Sequence, residues 1–352
     1  MSKSSTISQG QGRFVGMDLS DKQGTVVGLD PEGRVVEESV VAMTPAGVDR
    51  YFSRRERARV AIEAGTHSPW VSRTLEDAGH EVIVANSRQI PLIFRSNRKN
   101  DRVDAASLAR LARLDPQLLH PMKHRSQTAQ EDLAVLRSRD ALVRVRTSLI
   151  NHVRGTVKAL GYRLPSCSAA SFAARAGDLI PEGLRPALDS VVEMIAGLTA
   201  RIGDYDGKVE ELARTRYREA GVMRQVNGVG PLTSLAFVLT LEDPAKFRRS
   251  RDVGAFLGLT PRQRQSGATN LQLRISKAGD AFLRRLLVQC AHYVLGPFGQ
   301  DCDLRRWGMK LASAKTRKRA IAAVARKLAV LLHRLWATGE VYEPLRQAAI
   351  AA

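Results

Sequence analysis

Short runs of apolar and polar residues alternate over the first third of the chain. Residues 14–19, 25–29 and 34–42 predict three strands, and the turn-forming segments 20–24 and 30–33 separate them. Because both separating segments are short, we expect the three strands to form a hairpin meander.

Helical and strand-like segments follow in alternation. Thr44-Pro45 predicts a helix start, since threonine caps a first turn and proline fits its first position. Residues 58–62 and 81–85 predict two further strands, with a helix from about Ser68 between them and another from Asp101 after them. A meander followed by helix, strand, helix, strand and helix is the element order of the ribonuclease H-like fold.

The remainder of the chain is predicted to be mostly helical. Residues 128–160 keep their apolar side chains to one stripe, with arginines around it, and residues 161–184 are rich in helix-breaking residues. A heptad seam follows, in which apolar residues alternate steps of three and four: Leu188, Val191, Ile195, Leu198, Ile202, Tyr205, Val209 and Leu212. The seam can pair with the preceding helix or with another subunit. We favour self-association, because long stalk helices seldom bury such a seam alone.

These patterns predict an α/β plus all-α protein with four segments. Residues 1–12 are expected to be a disordered tail, 13–115 an α/β domain, 126–218 a helical coiled-coil stalk and 219–345 a mostly helical C-terminal domain.

A short motif near the start of the C-terminal domain resembles a helix-hairpin-helix. Its Gly228-Val229-Gly230 turn would present backbone amides to a phosphate. An ordinary turn between two helices is the alternative.

Composition indicates a polyanionic partner. Lys and Arg number 55 against 35 Asp and Glu, a net charge of +20, which is the electrostatic footprint of a nucleic-acid binder. The three cysteines form neither a disulfide framework nor a zinc motif, and they suit a reducing cytosol. The first twelve residues do not resemble a signal peptide, and no apolar run approaches the ~18 residues of a membrane span.

Four acids stand where the predicted fold would bring them together. Asp18 and Glu63 end apolar strands, and Asp101 and Asp104 are spaced to share one helix face. Acids at the ends of buried strands are costly unless a cation meets them. Convergent carboxylates would hold Mg²⁺ or Mn²⁺, and two such ions ~3.5–4 Å apart suit phosphodiester chemistry. We therefore expect a metal-dependent DNA-processing enzyme, although Asp101 alone could be a helix N-terminal charge.

A second group of reactive residues lies between residues 254 and 285. Ser266 is expected in a polar loop among four cations, Arg262, Arg264, Arg274 and Lys277. A serine among cations can approach a phosphodiester, but Ser-Gly in a loop is usually a turn. Ser276 also lies near Arg274 and Lys277, so proximity to cations does not separate the two serines.

The chain resembles the DEDD transposases of the "one-ten" family of insertion sequences, relatives of Piv-type DNA invertases. The likeness spans nearly the whole chain and rests on these segments: Gly16-Met17-Asp18, Ile62-Glu63-Ala64, Lys99-Asn100-Asp101-Arg102-Val103-Asp104-Ala105, Gly228-Val229-Gly230-Pro231, Gly258-Leu259-Thr260-Pro261, Gln265-Ser266-Gly267 and Ile275-Ser276-Lys277-Ala278-Gly279. Asn100 stands where the family often has Thr, and Ala-Gly-Thr follows Glu63 in place of Ala-Thr-Gly. Neither departure removes a carboxylate.

The resemblance implies a RuvC-like N-terminal domain and a site-specific DNA recombinase of a mobile element. It maps the family's Mg²⁺-binding acids onto Asp18, Glu63, Asp101 and Asp104, and its nucleophile onto Ser266, which would form a transient phosphoserine bond to DNA. It also implies a noncoding bridge RNA that pairs with donor and target DNA.

The expected nucleic-acid contacts come from the turn glycines, the basic block and the stalk: Gly228, Gly230, Arg262, Arg264, Arg274, Lys277, Arg144 and Arg154. The expected assembly is a dimer or a tetramer of two dimers, in the prokaryotic cytoplasm at the nucleoid and without a membrane partner.

Two other functions remain open. A RuvC-like nuclease would hydrolyse DNA junctions with metal-activated water and leave Ser266 structural. A nucleic-acid-binding scaffold would have little use for four convergent acids. Asp104 and Ser266 are 162 residues apart (266 − 104), so the recombinase needs folding or a partner subunit to bring them together.

Overall fold

A computed structural model describes residues 13–86, 100–266 and 269–346. The chain divides into two compact units, residues 1–125 and 126–352. The tail predicted over residues 1–12 lies outside the described residues, as do Lys99 and Gly267 of the motifs above. Among the described residues, no helix is both long enough and apolar enough to cross a membrane.

The first unit is built on one mixed sheet. Its strands are β1 (Arg13–Leu19), β2 (Gln23–Leu29), β3 (Val35–Ala42), β4 (Ala58–Glu63) and β5 (Glu81–Ala85). They lie in the order β3-β2-β1-β4-β5; β1, β2 and β3 pair antiparallel, whereas β4 runs parallel to β1 and to β5. This arrangement confirms the predicted meander and the two strands that follow it.

Helices cover both faces of this sheet. Helices α1 (Pro45–Phe52) and α2 (Ser68–Asp77) pack in the hydrophobic cluster that contains Met17. Helix α3 (Asp101–Leu114) packs in a different cluster, which contains Phe14. Because successive side chains of a strand point to opposite faces, β1 contributes to both layers and is central to the domain.

Two long helices begin the second unit. Helix α4 (Gln127–Ala159) and helix α6 (Arg185–Thr215) pack against each other, with the short helix α5 (Phe172–Ala176) between them in sequence. One row of the predicted seam is almost fully buried within the chain: Leu188, Ile195, Ile202 and Val209. The seam therefore pairs with the preceding helix, the first of the two alternatives. Self-association stays a prediction, and it no longer draws support from these four side chains.

An ion pair to a buried aspartate connects the start of α4 to the residue that follows α6. Asp132 is only 6% exposed, and Arg216 donates to both its carboxylate oxygens, at 2.9 and 2.7 Å. The Tyr217 hydroxyl donates to the same carboxylate at 2.7 Å. Burial, together with this hydrogen bond to an anion, raises the pKa of Tyr217. These three hydrogen bonds, from Arg216 and Tyr217, satisfy a charge that would otherwise be costly to bury.

The remaining helices all contribute to one hydrophobic cluster. They are α7 (Ala220–Met223), α8 (Pro231–Leu241), α9 (Asp252–Phe256), α10 (Ala281–Val294), α11 (Asp303–Ala314) and α12 (Arg317–Thr338). Every residue of α8 from Thr233 to Leu241 is buried, so this helix is the centre of the C-terminal core.

A two-stranded hairpin departs from the predicted loop around Ser266. Strand β6 (Pro261–Ser266) pairs antiparallel with β7 (Thr269–Ile275). The loop prediction was wrong because β6 has no apolar residue after Pro261 and so carries no alternation of apolar and polar positions, although Leu271, Leu273 and Ile275 do alternate in β7.

Candidate active site

Asp18 and Glu63 end two adjacent parallel strands. The register places Met17 of β1 opposite Ile62 of β4, so the next residue of each strand, Asp18 and Glu63, lies at the same edge of the sheet. Both residues are half-buried. They share strand faces with Gly16 and Ala61, two positions earlier, and these face the layer of α3.

Helix α3 lies unusually close to β1. An ideal Cβ on Gly16 would be 1.9 Å from the carbonyl oxygen of Ala105 and 2.6 Å from the amide nitrogen of Ala109. No side chain fits between these backbones, so a glycine at position 16 is required by packing. The contact brings the first turn of α3, with Asp101 and Asp104, towards the end of β1 that carries Asp18.

The direction of α3 follows from a contact at its other end. Arg59, at the start of β4, donates to the carbonyl oxygen of Ala112 at 3.3 Å. The last turn of α3 is thus near the start of β4, and its first turn is at the edge where Asp18 and Glu63 end their strands. Asn100 starts the helix there, its side chain accepting from the Val103 amide at 2.8 Å.

Asp104 has the features of a cation ligand. Its side chain is 6% exposed, and none of the residues in the described ranges donates a hydrogen bond to its carboxylate or forms an ion pair with it. A buried carboxylate without a donor is costly unless a cation meets it. Asp101, one turn earlier, is exposed.

The side chains are not gathered around one point. Within residues 13–86, 100–266 and 269–346, no three His, Cys, Asp or Glu side chains are arranged to hold a metal ion. The backbone therefore brings the elements carrying Asp18, Glu63 and Asp104 to one edge of the sheet, whereas their carboxylates do not form a closed ligand set.

Ser266 is the last residue of strand β6. It pairs in register with Thr269, and the two intervening residues lie outside the described ranges, as does the side chain of Ser266. The side chains of Arg262, Arg264, Arg274 and Lys277 are exposed on the hairpin and at its base. The cationic setting of the Ser266 hydroxyl stays a prediction.

Two glycines clamp the base of this hairpin. A Cβ on Gly258 would be 2.2 Å from the carbonyl oxygen of Ala278, and one on Gly279 would be 2.0 Å from that of Phe256. Both glycines have positive φ, 67° and 72°, which an L side chain seldom adopts. The Gly-Leu-Thr-Pro and Ser-Lys-Ala-Gly segments are therefore needed to hold the two strands together at their base.

Arg284 completes the clamp and was missed by sequence reasoning. Its guanidinium donates to the carbonyl oxygens of Leu257 at 3.0 Å and Ala278 at 2.7 Å. Burial lowers the pKa of this guanidinium, and the nearby Asp280 opposes the shift. The sequence offered no signal for this role, because Arg284 is one of several cations in the block.

Both parts of the chain match transposase families. A family model described as "Transposase IS116/IS110/IS902 family" matches residues 220–300, and a DEDD model of IS110, described as "Transposase", matches residues 15–161. The transposase for insertion sequence element IS1328 of Yersinia enterocolitica is 31% identical over 240 residues, 66% of this chain and 69% of that protein. The chain belongs to the IS116/IS110/IS902 transposase family.

Two longer alignments extend this similarity over nearly the whole chain. The transposase for insertion sequence element IS1111A of Coxiella burnetii is 28% identical over 338 residues, 94% of this chain and 91% of that protein. A probable family 20 transposase of Pseudomonas aeruginosa is 28% identical over 338 residues, 94% of this chain and 98% of that protein. The resemblance noted in the sequence is thereby confirmed.

Two stalk arginines of the transposase have protein partners. Arg154 donates to the carbonyl oxygens of Leu164 and Pro165, at 3.3 and 2.9 Å, and lies over the Phe172 ring. Arg144 is largely exposed and pairs with Asp140 at 3.3 Å. Arg154 therefore fastens the segment after α4, and a phosphate contact for either arginine stays a prediction.

The turn before α8 has a structural reason for its glycines. Gly228 has φ 88°, and a Cβ there would be 2.7 Å from the Tyr293 ring. Gly230 is exposed and caps α8, with Pro231 in the first turn. The exposed end of α8 leaves a phosphate contact at Gly230 as a prediction.

Proposed function

We propose that this transposase cuts and rejoins DNA through a serine–phosphodiester intermediate, assisted by acids that bind Mg²⁺ or Mn²⁺. The observation that carries the proposal is the backbone contact of Gly16 with Ala105. It brings the helix of Asp101 and Asp104 to the edge of a ribonuclease H-like sheet where Asp18 ends its strand.

The residues at this edge fit a hard divalent cation. Such ions prefer carboxylate oxygens, and Asp104 offers a buried carboxylate that has no protein donor among the described residues. Asp18, Glu63 and Asp101 would add further oxygens after side-chain rotation. When bound, such an ion lowers the pKa of a hydroxyl or water beside it and neutralises phosphate oxygens.

Ser266 supplies the nucleophile in this proposal. Its Oγ attacks the phosphorus of a DNA phosphodiester and passes its proton to a carboxylate or water. The Oγ–P bond forms while the bond from phosphorus to the leaving deoxyribose oxygen breaks, and that oxygen takes up a proton. A DNA hydroxyl then attacks the phosphoserine, which re-forms a phosphodiester and restores the serine. The exposed Arg262, Arg264 and Arg274 offset the phosphate charge.

Larger assemblies follow from the same proposal. The net charge of +20 supports binding of donor and target DNA and of a noncoding bridge RNA, with base pairing selecting the sequence. We propose catalytic, coiled-coil and C-terminal domains over 13–115, 126–218 and 219–345, a helix-hairpin-helix contact at Gly228 and Gly230, and a dimer or a tetramer of two dimers at the nucleoid.

Covalent trapping tests the chemistry. Wild-type protein is expected to form a denaturation-resistant adduct with DNA carrying the ends of its insertion sequence, and Ser266→Ala is expected to form none. Ser276→Ala is the matched control and should retain the adduct. Cleavage that survives Ser266→Ala but is lost in Asp18→Ala would identify a junction nuclease with metal-activated water. A wild-type protein that binds this DNA but neither cleaves it nor forms an adduct would be a scaffold.

Two further measurements test the assembly. The acids and Ser266 belong to different units of the chain, and we propose that they act on one phosphodiester. Mixing Asp18→Ala with Ser266→Ala subunits should recover cleavage if two protomers share the chemistry; no recovery in any mixture speaks against sharing. Sequencing of copurified nucleic acid should reveal a short noncoding RNA encoded beside the gene. If no such RNA is found, the proposal that a bridge RNA guides the transposase is refuted.

A further inference from the structure

The hairpin that carries Ser266 is an exposed arm. The sheet formed by β6 and β7 has no third strand among the described residues. The side chains of residues 262–265 are all exposed, and Leu271 and Leu273 are 54% and 44% exposed. Since Gly258, Gly279 and Arg284 clamp its base, the arm is a firmly held ribbon with both faces open.

One face of this arm carries amide residues. Gln263 and Gln265 are two positions apart in β6 and therefore share a face. In the backbone register, these two glutamines pair with Gln272 and Asn270. Arg264, between the glutamines, belongs to the opposite face with its backbone partner Leu271.

The charge of the arm selects a polyanion as its partner. Between Asp252 and Asp280 the sequence contains no acidic residue, whereas four basic residues fall in this stretch: Arg262, Arg264, Arg274 and Lys277. Such an all-positive stretch complements the phosphate backbone and disfavours a second copy of this basic chain.

We propose that Gln263 and Gln265 read base edges of the DNA on one side of the phosphodiester that Ser266 attacks, with a preference for adenine. This inference rests on the proposed function. A two-stranded ribbon fits the major groove of B-DNA, and glutamine makes paired hydrogen bonds to adenine N6 and N7 there. The transposase would then recognise the cleavage site directly, in addition to any sequence chosen by base pairing.

The spacing along the arm agrees with this role. Gln265 is next to Ser266 in β6, and Gln263 is three residues from it, or about 10 Å at a strand rise of ~3.3 Å per residue. Base pairs of B-DNA are stacked ~3.4 Å apart. With Ser266 at the cut phosphate, the two glutamines reach base pairs from the first to about the third beside it.

A selection experiment tests the inference. The probe is duplex DNA carrying the ends of the protein's own insertion sequence, with the base pairs on both sides of the cut randomised. Full-length protein, with the nucleic acid that copurifies with it, is trapped covalently on this library, and the trapped DNA is sequenced. Wild type should enrich A·T pairs beside the cut, and Gln263→Ala/Gln265→Ala should lose about 5- to 150-fold of that discrimination per contacted pair.

Arg264→Ala is the matched control, because it changes the neighbouring residue on the opposite face. It should weaken binding uniformly across sequences and reduce the salt dependence by about one counterion, with the base preference unchanged. The glutamine side chains are exposed, so the double variant should melt like the wild type. If the double variant forms no adduct, each single variant gives the same comparison at one position.

Three results overturn the inference and separate it from the proposed function. Adducts whose base preference is the same in wild type and in the glutamine variants refute base reading and leave the serine chemistry intact. Loss of self-association with an unchanged base preference means that the arm contacts another copy of the chain. A wild-type protein that forms no adduct with any member of the library refutes the proposed function together with this inference.

Discussion

A methyl group at position 16 would force helix α3 away from strand β1. In Gly16→Ala the new Cβ would be 1.9 Å from the Ala105 carbonyl oxygen, whereas real Cβ contacts essentially never fall below 3.0 Å. The helix must therefore move by at least 1.1 Å (3.0 − 1.9). Since the obstructing atoms are backbone, no side-chain rotation relieves the clash. Overpacking of a core costs about 1–3 kcal/mol, and we expect the upper end here.

Stability and catalysis should both respond to this displacement. A loss of ~3 kcal/mol lowers the melting temperature of a domain of this size by roughly 10 °C. A displacement of ~1 Å of a catalytic group can cost about 100-fold in rate, so DNA cleavage should fall by that order even below the melting transition. Both quantities can be measured on one preparation, by calorimetry and by covalent trapping on DNA of the element ends.

Gly65→Ala is the control for stability. It adds the same methyl group in the same unit, but an ideal Cβ on Gly65 meets no atom within 4 Å. Its melting temperature should stay close to wild type. A Gly16→Ala protein that melts like Gly65→Ala and cleaves DNA at the wild-type rate would refute the argument that this backbone contact positions the acids.

Three further substitutions test separate parts of the structure. Asp104→Asn removes a buried charge, so without metal the variant should be at least as stable as wild type. Mg²⁺ at a concentration near 100 Kd should raise the free energy of unfolding of wild type by about 2.7 kcal/mol and leave that of the variant unchanged. Equal increases in the two proteins would contradict metal binding at this carboxylate. Gly155 lies in an exposed part of α4, where an added Cβ meets nothing within 4 Å. Gly155→Ala should therefore raise the free energy of unfolding, measured in urea, by about 1 kcal/mol. A lowered urea midpoint would show that position 155 requires glycine. Tyr217→Phe removes a 2.7 Å hydrogen bond to the buried Asp132 carboxylate and should cost about 1.5–3 kcal/mol in the same assay, where an unchanged midpoint would show that Arg216 alone satisfies the charge.

The heptad seam of α6 illustrates how much of the structure hydrophobic periodicity predicts. Steps of three and four residues predicted the helix and its apolar face, and Leu188, Ile195 and Ile202 are indeed buried. The periodicity did not identify which helix packs against that face. It is α4 of the same chain, since Ile150, Val153 and Val157 of α4 lie in one hydrophobic cluster with Leu188 and Ile195.

The basic residues show a similar division. Composition established a net charge of +20, and with it the expectation of a nucleic-acid partner. Only the fold reveals which cations are already engaged. Arg154 donates hydrogen bonds to backbone carbonyls, and Arg216 donates to the Asp132 carboxylate. Arg262 and Arg264, in contrast, are exposed on the hairpin arm.

The sequence alone determined the strands and helices of the first unit, their order, and the acids at the strand ends. Period-two alternation, caps and turns are properties of neighbouring residues, so they can be read locally. The tertiary structure alone decided how closely α3 approaches β1, how Gly258 and Gly279 clamp the hairpin, and that the arm around Ser266 is a ribbon. These features depend on distances between residues far apart in the chain, such as Gly16 and Ala105, and no local pattern records such distances.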